Sequence, residues 1–345
     1  MIYELIGFDE FETLEDVQRT FSTVGAGCSL VTDTESGRGK ALRIVSGGGS
    51  VLVPVSPPPL TVMGASFRVR VISMESQSNR RILYRVERDG VAQYSLQMDN
   101  IGRLYTTTAG GTGNPNVTYP VPLVFGQWYH IEVKGRSADF GVDGGFFEVK
   151  LNGKTIIYIE RDTNNVNGAV SVDSVRLNLA FAFGGVVDID DITLWDETGD
   201  ENNDFLGDVE VETLFANADG TITGWTPNTG TAWEAVDDTS EDGDTTYISS
   251  STVGGSASFG VTDLASNPTE VLAVKVFGIA RKDGLGDRAI KLGVVSNGIV
   301  SEGLETTLST SYGPVIAVFN RDPDGDVTWT PLSVNALQPR VSLTL

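Results

Sequence analysis

Gly126-Gln-Trp-Tyr-His-Ile-Glu-Val-Lys134, followed by Phe146-Phe-Glu-Val-Lys-Leu-Asn-Gly-Lys-Thr-Ile-Ile-Tyr-Ile159, decides the fold. In both stretches apolar or aromatic residues alternate with polar ones. That is the period of a strand with one buried face. Asn152-Gly153 interrupts the second alternation with a pair suited to the positive φ angles of a two-residue hairpin turn. Together the runs predict antiparallel strands joined by a tight turn.

The same alternation recurs outward from there. It is visible in Ser66-Phe-Arg-Val-Arg-Val-Ile72, Asp208-Val-Glu-Val-Glu-Thr-Leu214 and Val271-Leu-Ala-Val-Lys-Val-Phe277. Turn signals separate such runs at Arg88-Asp-Gly90, Asp143-Gly-Gly145, Asp219-Gly220 and Asp324-Gly325. A helical pattern is confined to Phe11-Glu-Thr-Leu-Glu-Asp-Val-Gln-Arg19, enough for a turn or two. The chain is therefore expected to be all-β and built of sandwiches. Asp196-Glu-Thr-Gly-Asp-Glu-Asn-Asn-Asp204 is acidic and nearly devoid of apolar residues. It predicts a linker over 198–207 between a first domain, 1–197, and a second β-sandwich, 208–345. Pro57-Pro-Pro59 reads as a stiff loop within the first domain.

Composition narrows the function. The 345 residues include 15 Phe, 9 Tyr and 5 Trp, enough to fill two cores, and 40 Gly, which suits many turns. One Cys and one His exclude a disulfide framework and a multi-histidine metal site. A net charge of −22 makes nucleic acid a poor partner. No apolar run approaches the ~20 residues of a membrane helix. The start, MIYELIGFDEFETLED, lacks the pattern of a signal peptide, so synthesis and folding in a cytoplasm are expected. The acidity is uneven. Between Arg176 and Lys275, 98 residues carry 20 Asp or Glu and no Lys, Arg or His. This nominates 188–244 as a surface for a basic partner or divalent cations.

Five motifs in order carry a resemblance. They are Gly7-Phe-Asp-Glu-Phe-Glu12, Gly37-Arg-Gly-Lys-Ala-Leu-Arg-Ile44, Gly126–Lys134, Phe147-Glu-Val-Lys-Leu-Asn-Gly-Lys154 and Val187-Asp-Ile-Asp-Asp-Ile-Thr-Leu194. Residues 1–197 resemble the concanavalin A-like, or laminin G-like, jelly-roll sandwiches. The variant resembles those of tailed-bacteriophage structural proteins. The segments at Trp225-Thr-Pro, Val274–Asp283 and Trp329–Leu337 are similar to a downstream β-domain of such proteins, although Pro339-Arg340 stands where that pattern ends with Gly. The resemblance implies a non-enzymatic virion component: a head decoration, a collar or neck appendage, or part of a tail fibre. Its partners would be other virion proteins, and it would form a homo-oligomer. It would be located in the virion. It also implies that Trp128 packs between the sheets.

Candidate chemistry is sparse. Jelly-roll glycoside hydrolases resemble one another in E-x-D-x-x-E, and the nearest match here, Asp188-Ile-Asp-Asp-Ile-Thr193, lacks the final acid. No catalytic residue is therefore expected. His130 alternates with Trp128 and Glu132, but no nucleophile with a recognisable elbow lies nearby, which favours a structural histidine. Cys28 reads as a small buried residue. Asp322, Asp324 and Asp326 are candidate ligands for Ca²⁺. Asp237, Asp238, Glu241, Asp242 and Asp244 form an acidic loop that could dock a partner or hold a cation. Tyr105 and Tyr119, in a Gly-rich segment over 102–120, are candidate sugar platforms. Two alternatives to the virion reading are thus a lectin-like adsorption protein that binds host surface glycan and a polysaccharide-degrading enzyme.

Overall fold

In the computed structural model, the hairpin at Asn152-Gly153 closes as the alternation predicts. The structure describes residues 1–21, 23–33, 38–45, 50–54, 60–74, 81–108, 117–138, 144–160, 163, 171–178 and 185–345. The loop expected at Pro57-Pro-Pro59, the turn residue Asp143 and positions 109–116 of the Gly-rich segment lie outside the described residues. Phe146–Leu151 pairs antiparallel with Lys154–Glu160, and Asn152 and Gly153 take φ of 48° and 76°. Arg88-Asp-Gly90 turns in the same way, with φ of 49° at Asp89 and 74° at Gly90.

The chain divides into two compact units. The first comprises Met1–Asp9 and Thr13–Val211, the second Glu10–Glu12 and Glu212–Leu345. The expected linker, 198–207, thus belongs to the first unit rather than standing between two bodies.

The first unit is a jelly-roll sandwich of two antiparallel sheets. The eight-stranded sheet runs Lys154–Glu160, Phe146–Leu151, Trp128–Arg136, Val62–Met74, Gly185–Asp196, Gly39–Val45, Cys28–Asp33, with Ile2–Ile6 also paired to Gly185–Asp196. The seven-stranded sheet runs Val117–Tyr119, Leu104–Thr108, Val91–Met98, Arg81–Arg88, Ser174–Asn178, Ser50–Pro54, Thr23–Val24.

The core lies between these sheets. Phe67, Val69, Ile131, Val133, Phe147 and Val149 of the eight-stranded sheet meet Tyr84, Val86, Tyr94 and Leu96 of the other, and all are buried. Phe67 stacks on Tyr84 at 6.1 Å, and Tyr94 meets Phe147 at 4.9 Å between centroids. The Tyr94 hydroxyl donates to the Gly135 carbonyl at 3.2 Å, which satisfies a polar atom inside the core. Each fully buried aliphatic or Phe side chain there contributes about 1.5–3 kcal/mol.

A strand buries only alternate residues on each face. Ile131 and Val133 point into this core, so Trp128, His130 and Glu132 lie on the sheet's outer face. Trp128 does not pack between the sheets as expected. It lies beside the guanidinium groups of Arg70 and Arg68, at 4.9 and 5.8 Å from the ring centroid. Both arginines stand on the neighbouring strand, Arg70 directly opposite Trp128.

The second unit is a smaller β-sandwich. A six-stranded sheet, Ala216–Thr223, Ser256–Val261, Gln338–Leu343, Ala289–Ser296, Ile299–Glu302 and Thr306–Thr307, accompanies the pair Val274–Ala280 and Gly313–Phe319. Its core gathers Val276, Ile290, Val294, Val315, Phe319 and Trp329. Phe11 joins this unit, edge-on to Phe277 at 6.0 Å.

Two sequence expectations fail here. Asp219-Gly220 is not a turn but sits inside the strand Ala216–Thr223, where the register shifts. There a Cβ on Gly220 would lie 2.6 Å from Ser258 Oγ. Asp208–Leu214 alternates like a strand yet joins no sheet. The helical pattern at 11–19 becomes the helix Leu14–Thr20, capped reciprocally by Thr13 and Asp16. Among the described residues, no helix is long and apolar enough to cross a membrane.

Candidate functional site

The outer face of the seven-stranded sheet carries an unusual set of side chains. Gln93, Ser95 and Gln97 alternate with the core residues Tyr94 and Leu96, and so point away from the core. Thr107 stands opposite Ser95, and Arg85 and Arg176 continue the same row across the next two strands. Glu87 lies one step along from Arg85. A sheet face turned from its core is ordinarily solvated, yet Glu87, Gln93, Ser95, Gln97 and Thr107 are only 0–7% exposed.

These groups form two connected sets. In the neutral set, the Ser95 and Thr107 hydroxyls bond at 2.7 Å, and the Gln97 amide donates to both at 3.2 Å. Gln93 donates to the Val91 carbonyl at 2.9 Å. In the charged set, Arg176 donates from Nε to Glu87 Oε1 at 2.8 Å and from Nη2 to Oε2 at 3.3 Å. Arg85 Nη2 donates to Glu87 Oε1 as well. Burial opposes ionisation of Glu87, but the hydrogen bond from Arg176 and the charge of Arg85 outweigh it and hold its carboxyl below the usual range. Two guanidiniums thus face one carboxylate. Among the described residues, Arg85 Nε is buried with no acceptor. A buried donor on a charged group is costly to leave unmet.

Tyr105 closes one end of this face, opposite Gln97. It is buried, and its hydroxyl donates to Asp99 Oδ2 at 2.7 Å. Asp99 also accepts from Arg103 Nε at 2.7 Å. Burial works against the Asp99 charge, but these bonds lower its pKa. Tyr119 pairs with the core residue Leu104 and so projects from the other face of the sheet. The two tyrosines that are candidate sugar platforms therefore lie on opposite faces of this sheet.

The outer face of the eight-stranded sheet is built differently. Arg43 and Arg70 both hold Asp188, and Arg70 also reaches Asp33 at 3.2 Å. His130 Nε2 lies 2.7 Å from Ser66 Oγ. The histidine is buried. Burial pulls its pKa below 6.5, and the charges of Glu132 and Asp208 only partly offset this. Residues 204–211 lie across this face as an extended strap. Glu132 Oε1 accepts the amides of Leu206 and Gly207 at 2.8 and 2.9 Å. Asp191 Oδ1 accepts the Val211 amide at 2.8 Å.

The remaining sequence candidates do not assemble. Asp322 is buried and accepts the Asp324 amide, Asp324 accepts from Asn297 at 2.9 Å, and Asp326 pairs with Arg321 at 2.8 Å. Three carboxylates with three separate partners do not form a Ca²⁺ cage. Among the described residues no group of three or more His, Cys, Asp or Glu is placed to hold a metal. In the acidic loop, Asp238 and Asp242 accept from Thr246, Glu241 accepts the Gly243 amide, and Asp244 pairs with Arg281 at 2.8 Å. These bonds account for the loop as a self-supporting turn. Cys28 is buried, as expected.

No protein-family model and no curated protein matches the chain. Solved structures do. Alginate lyase Aly36B is similar at TM-score 0.42 and 14% identity, over 55% of this chain and 95% of that one. The endo-β-1,4-glucuronan lyase from the fungus Trichoderma reesei is similar at 0.37 and 16%, over 50% and 87%. The marine alginate lyase from Aplysia kurodai is similar at 0.37 and 11%, over 49% and 86%. These are polysaccharide lyases, and none of them is a phage protein. The expectation of a non-enzymatic virion structural protein is corrected on this finding, and with it the exclusion of enzymatic activity.

Proposed function

We propose that the first unit binds an acidic polysaccharide along the outer face of the seven-stranded sheet. The observation that carries this reading is Arg85 Nε, a buried charged donor without an acceptor among the described residues, set in a row of recessed polar groups. The Arg85–Glu87–Arg176 set has one more positive than negative charge, which suits the carboxylate of a uronic acid residue. Gln93, Ser95, Gln97 and Thr107 offer both donors and acceptors, as sugar hydroxyls require.

Affinity electrophoresis against alginate, glucuronan and neutral dextran tests it. The acidic polymers should retard the protein and dextran should not. Arg85→Gln keeps the Arg176–Glu87 pair and should weaken alginate binding about tenfold, the scale of one charge-assisted hydrogen bond. Gln97→Ala, which alters the neutral set alone, is the second variant. Retention by no polymer, or retention unchanged in both variants, would overturn the reading. The same incubations read cleavage, through the appearance of unsaturated or reducing ends.

A further inference from the structure

We infer that the outer face of the eight-stranded sheet is a seat for an extended acidic peptide, filled here by residues 204–211 of the same chain and open to those residues of a second copy.

The strap, Asp204-Phe-Leu-Gly-Asp-Val-Glu-Val211, has strand-like alternation but forms no backbone ladder with the sheet. Side chains of the sheet read it instead. Its amides go to carboxylates: Leu206 and Gly207 to Glu132, Val211 to Asp191. Its carboxylates go to cations. Asp204 meets Lys134 at 2.9 Å, Asp208 meets Arg38 at 3.5 Å and Arg68 at 3.9 Å, and Glu210 meets Arg38 at 3.6 Å. Arg38 also donates to the Val209 carbonyl at 3.3 Å. Phe205 lies edge-on to Trp195 at 6.4 Å, with Lys150 Nζ 3.5 Å from its ring centroid. At the far end a Cβ on Gly7 would lie 2.6 Å from the Val211 carbonyl oxygen, so Gly7 leaves room for the strap backbone.

Recognition through alternating amide and side-chain contacts does not depend on the strap being joined to this particular sheet. The joining segment suits exchange. Gly199 and Asn202 take φ of 74° and 53°, and these left-handed turns fold the chain back onto its own face. If the turns open, the same contacts form on another copy, at the cost of the fold-back and of the freedom lost on association, which high concentration offsets. This is the low-cost route of an exchanged segment. The carboxylates of Asp204, Asp208 and Glu210 are well exposed, so each ion pair contributes only about 0–1 kcal/mol and release is not prohibitive.

Two full-length preparations with different affinity tags, mixed at high concentration, test the inference. The tags should co-purify, and light scattering should show a species of twice the chain mass that grows with concentration. A synthetic peptide of residues 204–211 in excess should dissolve it, and Glu132→Gln should lower its fraction severalfold. Should Glu132→Gln fail to fold, the peptide competition on the wild-type chain stands in its place. A monomer at every concentration, even after transient mild denaturation, would overturn the inference. So would a dimer insensitive to the peptide.

Discussion

The indole of Trp195 lies over the Cα of Gly64, its cross-strand partner on the outer face of the eight-stranded sheet. An added Cβ on Gly64 would collide with the indole ring. Trp195 is fully buried and holds Phe205 of the strap. Gly64→Ala should therefore lower the stability of the first unit by about 1–3 kcal/mol, the cost of overpacking a filled site. Thermal unfolding followed by tryptophan fluorescence measures this, and an unchanged Tm would show that the indole can move at no cost.

A second prediction concerns Asp188, which is fully buried between two arginines. Arg43 grips it with two bonds of 2.7 and 3.0 Å, and Arg70 adds one of 2.9 Å. Asp188→Asn keeps the shape but takes one carboxylate from the buried Arg70 guanidinium, which also reaches Asp33. Breaking a buried pair costs about 3–5 kcal/mol. Arg43 is a third exposed and partly screened, so the lower end is expected. Urea titration should show a reduced midpoint with an unchanged slope.

His130 makes the third case, through pH. Its folded pKa is below 6.5, chiefly because burial disfavours the imidazolium. The unfolded chain therefore binds this proton more readily than the folded one. The resulting stability is complete above 6.5 and is lost as pH falls from 6.5 towards the folded pKa. It is the single histidine of the chain, so its imidazole resonances titrate alone. Their midpoint should fall below 6.5. The Tm of the wild type should drop between pH 7 and pH 5, and His130→Gln should flatten that drop.

The last prediction is on calcium. Asp322, Asp324 and Asp326 each have a separate protein partner, and the Arg321 pairing would have to break before Asp326 could ligate. Millimolar Ca²⁺ should leave the Tm of the second unit unchanged. An upward shift would reveal a rearranged site with net affinity for the ion.

Much of the fold was readable because strand period and turn chemistry are local. Asn152-Gly153 and Asp89-Gly90 adopt the positive φ their residue types favour. The failures share one cause. Asp208–Leu214 has the period of a strand, but a strand needs a neighbour to donate to, and these amides found carboxylates instead. Asp219-Gly220 has the composition of a turn, yet Gly220 serves close approach to Ser258. In Trp128–Lys134 both alternate sets contain aromatic or apolar residues, so the period alone does not say which set turns inward; the structure buries Ile131 and Val133 and sets Trp128 opposite Arg70 on the outer face.

The candidate site was not legible in the same way. Glu87 and Arg176 are 89 positions apart, and no spacing rule joins them. Tyr105 and Tyr119 are near in sequence. Adjacent strands set them on opposite faces.

By itself, then, the sequence determined the strand period, the hairpin turns and the acidic balance, since each depends on residues within a few positions of one another. Only the tertiary structure decided which face of each strand turned inward, and that Arg85, Glu87 and Arg176 would meet. It also laid the strap across the eight-stranded sheet. Those outcomes depend on which strands pair and in what register, and a shift of one residue would have sent every side chain to the other side.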